Sequence, residues 1–338
     1  VLPEFWFGTI AVLWAGYVLL EGFDFGVALL LPVLARDDED RRVVLRTIGP
    51  VWDGNEVWLL VAGGATFAAF PEWYASLFSG FYLPLLLILL GLIVRAIGLE
   101  YRSKAATAQG RAWCDRAATG GSLLPAVLLG VALSDWVRGV RMDSTHHVLD
   151  GFWQLVTPYA LLGGVATFLL FTFHGAVFLA LRTTGELRER SLHAARRIGP
   201  VFVLVAAGWL AWSLGHRGGV VAVLVAAGAA AGSVAALLAL RQDREGWAFA
   251  GTAVTSLLLP VFVFACIYPD VLPGRGTPGL SLSDAASSPY TLKVMTVVAV
   301  VVTPVVLAYQ AWTYWVFRQR VVGPSASAAP VVPARAGA

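Results

Sequence analysis

The stretch Ile48–Leu60, IGPVWDGNEVWLL, sets two acids, an asparagine, two glycines and two tryptophans at the head of an apolar run. Acids in the first turns of a helix meet the positive end of its dipole, and Pro50 suits a first-turn position. Asp53 and Glu56 are three apart and share a helix face. The apolar run behind them decides the fold, because runs like it recur along the whole chain. Each is long enough to cross a bilayer of roughly 30 Å.

The 338 residues are 58% hydrophobic and 13% charged, with a mean hydropathy of +0.74. A soluble domain carries about a quarter charged residues. The chain therefore reads as an all-α polytopic membrane protein. Apolar runs set against polar punctuation give nine spans, roughly 5–32, 50–70, 74–101, 113–136, 152–181, 199–215, 219–240, 247–268 and 290–317. The first run has no basic residue before Phe5 and no small-residue cleavage site after it, as expected of a permanent helix. The transmembrane domain is expected over 1–318, and the Pro-, Ala- and Ser-rich tail 323–338 is expected to be disordered in the cytoplasm.

The net charge of +3 does not point to nucleic acid, since the basic residues fall almost entirely in short loops. On one side the loops and tail hold 17 Lys and Arg; on the other they hold four. The positive-inside rule then puts the amino terminus outside and the carboxyl terminus in the cytoplasm. Cys114 and Cys266 fall on opposite sides, which excludes a disulfide between them.

An internal echo accompanies this alternation. IGPVW at 48–52 returns as IGPVF at 198–202, and Asp24 in GFDFGV matches His174 in TFHGAV at the same offset of 150. The economical reading is two four-helix bundles, about 1–137 and 150–268, related as a pseudo-repeat with a ninth helix at 290–317.

Ionisable side chains within a bilayer cost several kcal/mol by most estimates, so each calls for an account. Glu21 and Asp24 share a face of the first span, and the second carries Asp53 and Glu56. The third contributes Arg95 and Glu100, and the fifth His174. Helix capping explains one carboxylate but not four, and Glu21 and Asp24 lie deep in a span. A mixed cluster of buried acids with an arginine is suited to exchanging protons. His174 reads as a packing residue, and Trp14, Trp52 and Trp58 as interface or packing residues.

Membrane haem needs His, Met or Cys ligands. Of five histidines only His174 lies well inside a span, so paired-histidine ligation of haem b is excluded. There is no Walker motif, phosphate-binding glycine loop or CxxC, and no redox cofactor, nucleotide or metal is expected in this chain alone.

EGFDFGV (21–27), the block 48–85 with WDGNEVW, RAIGLEYRSK (95–104), RTTGEL (182–187) and the last span, 290–317, together resemble subunit II of the cytochrome bd quinol oxidases. The resemblance runs from the first span to the last. It implies a bacterial membrane heterodimer with a subunit I that carries two b-type haems, haem d and the quinol site, and that oxidises quinol and reduces dioxygen to water. Subunit II would line a proton route, with Asp53 a relay acid near the subunit boundary, Glu21 and Asp24 feeding or sharing it, and Arg95 setting the field. Trp52, Asn55 and Trp58 would lie along a channel or the interface, Trp58 at the mouth of an apolar channel. The family leaves room for a structural quinone or lipid and for small accessory subunits. This chain departs from it at Glu21, where aspartate is frequent, and at Glu56, where glutamine is. The rival classes are a proton-coupled secondary transporter and an assembly subunit that conducts no proton. The spans show no Gly- or Pro-broken pair of half-helices at corresponding positions, which counts against the transporter.

Overall fold

The computed structural model describes residues 1–322; the expected disordered tail at 323–338 lies outside the described residues. The chain is helical nearly throughout. In order come α1 (Leu2–Leu34), α2 (Asp38–Ile48), α3 (Trp52–Ala69), α4 (Pro71–Gly80), α5 (Tyr82–Tyr101), α6 (Ala108–Arg138), α7 (Phe152–Leu155) and α8 (Pro158–Arg182). Then follow α9 (Gly185–Arg217), α10 (Val220–Arg241), α11 (Glu245–Ile267), a two-stranded antiparallel ribbon of β1 (Asp270–Leu272) and β2 (Leu280–Ser281), α12 (Leu282–Ala285) and α13 (Pro289–Val316).

Eight helices, α1, α5, α6, α8, α9, α10, α11 and α13, are long and apolar enough to cross a membrane. The remaining expected span, 50–70, corresponds to α3. Its 18 residues would extend about 27 Å, but Asp53, Asn55 and Glu56 dilute its apolar character.

Prolines set several boundaries. The expected span 74–101 is two helices, because the chain breaks between Gly80 and Tyr82. That break puts Pro84 in the first turn of α5, where its missing N–H costs nothing; in one continuous helix its ring would clash with the Gly80 carbonyl. Likewise Pro158 opens α8, which cuts α7 from the expected span 152–181. Pro50 lies in a turn just ahead of α3, not in its first turn, while its counterpart Pro200 stays inside α9. The Arg-rich segment before Pro200, expected as a loop, is the first part of the 33-residue α9.

Helix α1 is the axis of the molecule, flanked by α3, α6, α8 and α11. It meets α8 backbone to backbone. A Cβ on Gly26 would stand 1.9 Å from the Phe171 carbonyl oxygen, and one on Gly175 would stand 2.6 Å from the Gly26 Cα. By contrast, Leu292 is the buried residue of α13. That helix is tied to the bundle near one end by Trp6, whose Nε1 donates to Leu292 O (3.2 Å) and Thr296 Oγ1 (3.1 Å).

Ion pairs brace both ends. At the Arg-rich end Arg102 joins Asp38 (2.8 Å) and Asp115 (2.5 Å). There, too, two pairs of residues 150 apart in sequence touch: Arg36 with Glu186 (3.3 Å) and Asp40 with Arg190 (2.9 Å). At the other end the buried Asp150 receives Arg141 (2.9 Å) and Arg275 (2.8 Å). Burial works against the Asp150 charge, but the Arg141 amide and the two guanidinium groups outweigh it and hold the carboxyl below its usual range.

Candidate functional site

Four helices bring the polar residues of the membrane interior together. Tyr17, Glu21 and Asp24 are spaced four and three apart and so line one face of α1. Helix α3 presents Trp52, Asn55 and Glu56 from its first two turns, α5 supplies Arg95, and α13 supplies Gln310 and Tyr314.

Arg95 is the hub. Its Nη1 pairs with Glu21 Oε1, both side chains being fully buried, and reaches Glu56 Oε2 at 3.5 Å. Its guanidinium lies over the rings of Phe25 (4.8 Å to the centroid) and Trp52 (5.7 Å). Two aromatic faces thus help to hold a charge that water cannot reach. Glu56 keeps 24% of its side chain exposed, so it stands between the buried pair and the surface.

Asp24 is held differently. Asn55 Nδ2 donates to Asp24 Oδ2 at 2.7 Å. The Asn55 oxygen accepts from Gln310 Nε2 (3.0 Å) and Tyr314 Oη (2.9 Å), which orients the amide so that its NH2 faces the acid. Helix rotation was not readable from sequence, and it sends Arg95 to Glu21 and leaves Asp24 to Asn55. Gln310 and Tyr314 were not among the expected site residues. The available signal was two polar side chains four apart, on one face of an otherwise apolar span.

Asp53 lies outside this cluster. It is exposed on the first turn of α3, where its Oδ1 accepts the Gly54 amide at 2.8 Å. Trp58 is half-buried and packs against Gly16, where even a Cβ would come within 2.3 Å of its ring. His174 uses both ring nitrogens inside the bundle: Nε2 donates to Leu19 O (3.2 Å) and Nδ1 accepts from Thr252 Oγ1 (2.7 Å), an assignment fixed by those partners. It also stacks on Phe249 at 4.9 Å. That is a packing role.

Farther along α3, toward its carboxyl end, lies an apolar cavity of about 540 Å³ lined by Trp14, Leu59, Phe67, Leu77, Phe81 and Leu133 among others. Its size and lining suit a hydrocarbon chain. Among the described residues, no three or more His, Cys, Asp or Glu gather as a metal site, and Cys114 and Cys266 are free.

Comparison with known proteins agrees with this picture. The chain is similar to the structure of bd oxidase from Geobacillus thermodenitrificans, with a TM-score of 0.75 over 94% of this chain and 98% of that one; at 18% identity this likeness shows the fold. It is 37% identical to cytochrome bd ubiquinol oxidase subunit 2 of Bacillus subtilis (strain 168), over 95% of this chain and 97% of the relative. It is 35% identical to cytochrome bd-I ubiquinol oxidase subunit 2 of Escherichia coli (strain K12), over 93% and 94% respectively. The family described as cytochrome bd terminal oxidase subunit II matches residues 2–317. With a match along nearly its whole length, the chain belongs to that family: it is a multi-pass bacterial membrane protein and one subunit of an oxidoreductase complex.

Proposed function

We propose that this subunit carries protons from the cytoplasmic face toward a haem-bearing subunit I, in a complex that oxidises quinol and reduces dioxygen to water. One observation carries the reading. Burial deepens step by step across neighbouring acids, from exposed Asp53 to part-exposed Glu56 to fully buried Glu21 and Asp24, with Arg95 shared between the second and third. Asp53 is one turn before Glu56 and takes a proton at its carboxylate from surface water. Glu56 exchanges it inward, and Arg95 offsets the negative charge left behind. The haems, two b-type and one d-type, belong to subunit I in this reading.

The amino terminus lies outside, the Arg-rich ends of α2, α6 and α9 face the cytoplasm, and the two halves about 1–137 and 150–268 form a repeat. The contacts between residues 150 apart support that last point, since a two-fold relation brings equivalent positions together at its axis. The apolar cavity is a berth for a structural quinone or lipid tail. Trp52, Trp58 and the open faces of α3 and α13 lie toward subunit I, with Asn55 buried behind them between Asp24 and α13 and with room elsewhere for accessory subunits.

The test is steady-state quinol oxidation by the assembled complex carrying Asp53→Asn or Glu56→Gln. The relay predicts turnover lower by about tenfold or more, with the reduced haem spectrum unchanged. Full turnover in both variants would refute it, and loss of the haem bands would favour an assembly role.

A further inference from the structure

Glu21 and Asp24 stand one turn apart on the same face of α1, and both are wholly buried. Each spends one oxygen on a neighbour, Glu21 Oε1 on Arg95 and Asp24 Oδ2 on Asn55. The other oxygen of each, Oε2 of Glu21 and Oδ1 of Asp24, is buried with no hydrogen-bond partner among the described residues. Ionised carboxylates are acceptors only, so neither can satisfy the other while both are charged.

The charge count is unbalanced in the same place. Two buried carboxylates face one buried guanidinium, and Glu56 meets Arg95 only at 3.5 Å with part of its charge toward water. Among the described residues, the remaining groups packed around the acids offer no second cation. Tyr17 on α1 has an unpartnered hydroxyl, Tyr314 on α13 already donates to Asn55, Asp53 on α3 is exposed, and His174 on α8 is committed to Leu19 and Thr252. A net charge in a bilayer interior is costly, and so is a buried polar atom without a partner. One proton cures both defects, since it turns one acceptor into a donor and brings the charge of the three buried groups to zero.

We propose that Glu21 and Asp24 bind one proton jointly, as a carboxylic acid hydrogen-bonded to a carboxylate, and so form a proton-holding site inside this subunit. The proton lies between Glu21 Oε2 and Asp24 Oδ1, because the Asn55 amide, locked by Gln310 and Tyr314, reserves Asp24 Oδ2 as an acceptor. It arrives and leaves as a proton, and no electron moves. The purpose of the site rests on the relay reading; its existence does not.

Infrared spectra of the assembled complex, recorded in H2O and D2O at neutral pH, test this. The intact complex should show a carboxylic-acid C=O band that shifts in D2O. Glu21→Gln and Asp24→Asn should each abolish that same band, because the acid left behind is balanced by Arg95 and ionises. A band that survives in one of the two variants would assign the proton to a single residue and overturn the proposal, as would the absence of any band sensitive to both. Where either variant fails to assemble with its haem-bearing partner, Glu21→Asp and Asp24→Glu keep both carboxyls. These should move the band, and a band unmoved in both overturns the proposal. Turnover is read on the same samples. Band loss with full turnover refutes the relay and leaves the pair standing, whereas reduced turnover with the band intact does the reverse.

Discussion

Replacing Arg95 by Met removes the hub charge while keeping an unbranched side chain of similar length. Arg95 and Glu21 are both fully buried, so no water reaches the orphaned acid. Deleting one partner of such a pair costs about 3–5 kcal/mol. Glu56 adds little, about 0–1 kcal/mol, because its side chain is 24% exposed and water can take over. At about 1.4 kcal/mol per tenfold, the folded-to-unfolded ratio should fall by roughly two to four decades. The double variant Arg95→Met/Glu21→Met replaces the pair with apolar side chains and should recover part of the loss, the rest remaining because buried Asp24 then lacks its counter-charge. The assay is detergent-titrated unfolding of the four members of the cycle, followed by near-ultraviolet circular dichroism. The loss in the single variant should shrink as pH falls, since the orphaned Glu21 binds a proton in the folded chain that it would otherwise release. A single variant that loses less than about 1 kcal/mol, or a double variant no more stable than the single, would refute the reasoning.

Other consequences are as open to measurement. Gly26→Ala would drive a methyl against the Phe171 backbone, which no rotamer change relieves. It should lower stability by about 1–3 kcal/mol or more, seen as a reduced melting temperature of the purified complex; no change would mean that α1 and α8 cross less closely. Tyr314→Phe should cost about 1 kcal/mol, read as a lower melting temperature of the purified complex, and Gln310→Leu should add to the loss by freeing the Asn55 amide. The Asp150 carboxyl is held below its ordinary value of about 3.9, so its contribution is full above that pH and is lost as pH falls through the depressed value. Proteolysis of the 139–150 loop should therefore rise on acidification in the intact protein, and Asp150→Asn should be cut readily even at neutral pH.

The sequence spoke most clearly where one residue type carries the meaning. Long apolar runs marked the spans, and an arginine with acids among them marked where polar side chains gather inside the bundle, Asp53 excepted. What it hid was rotational. Each residue turns a helix by about 100°, and these spans are apolar on nearly every side, so no polar stripe reveals which face looks inward. Hence Asp53 and Glu56, one turn apart, could not be told apart as exposed and part-buried, nor could Arg95 be assigned to Glu21 over Asp24. The closure of α13 over Asn55 joins residues 255 apart, a separation that leaves no local pattern. The split of 74–101 was closer to hand, since Pro84 four residues after Gly80 already argued against one straight helix.

The depth of Glu21 along α1 also has an electrical meaning. It lies 13 residues before Leu34, about 20 Å of helix and near half of a bilayer that is 40–45 Å thick with its headgroups. On the proposed orientation, a proton climbing from the cytoplasm to Glu21 crosses about half of the membrane voltage, moving away from the negative side. At 100 mV that adds about 1 kcal/mol, enough to lower its occupancy roughly fivefold. A well-charged membrane would thus slow its own further charging at this glutamate, and a depolarised one would release the brake.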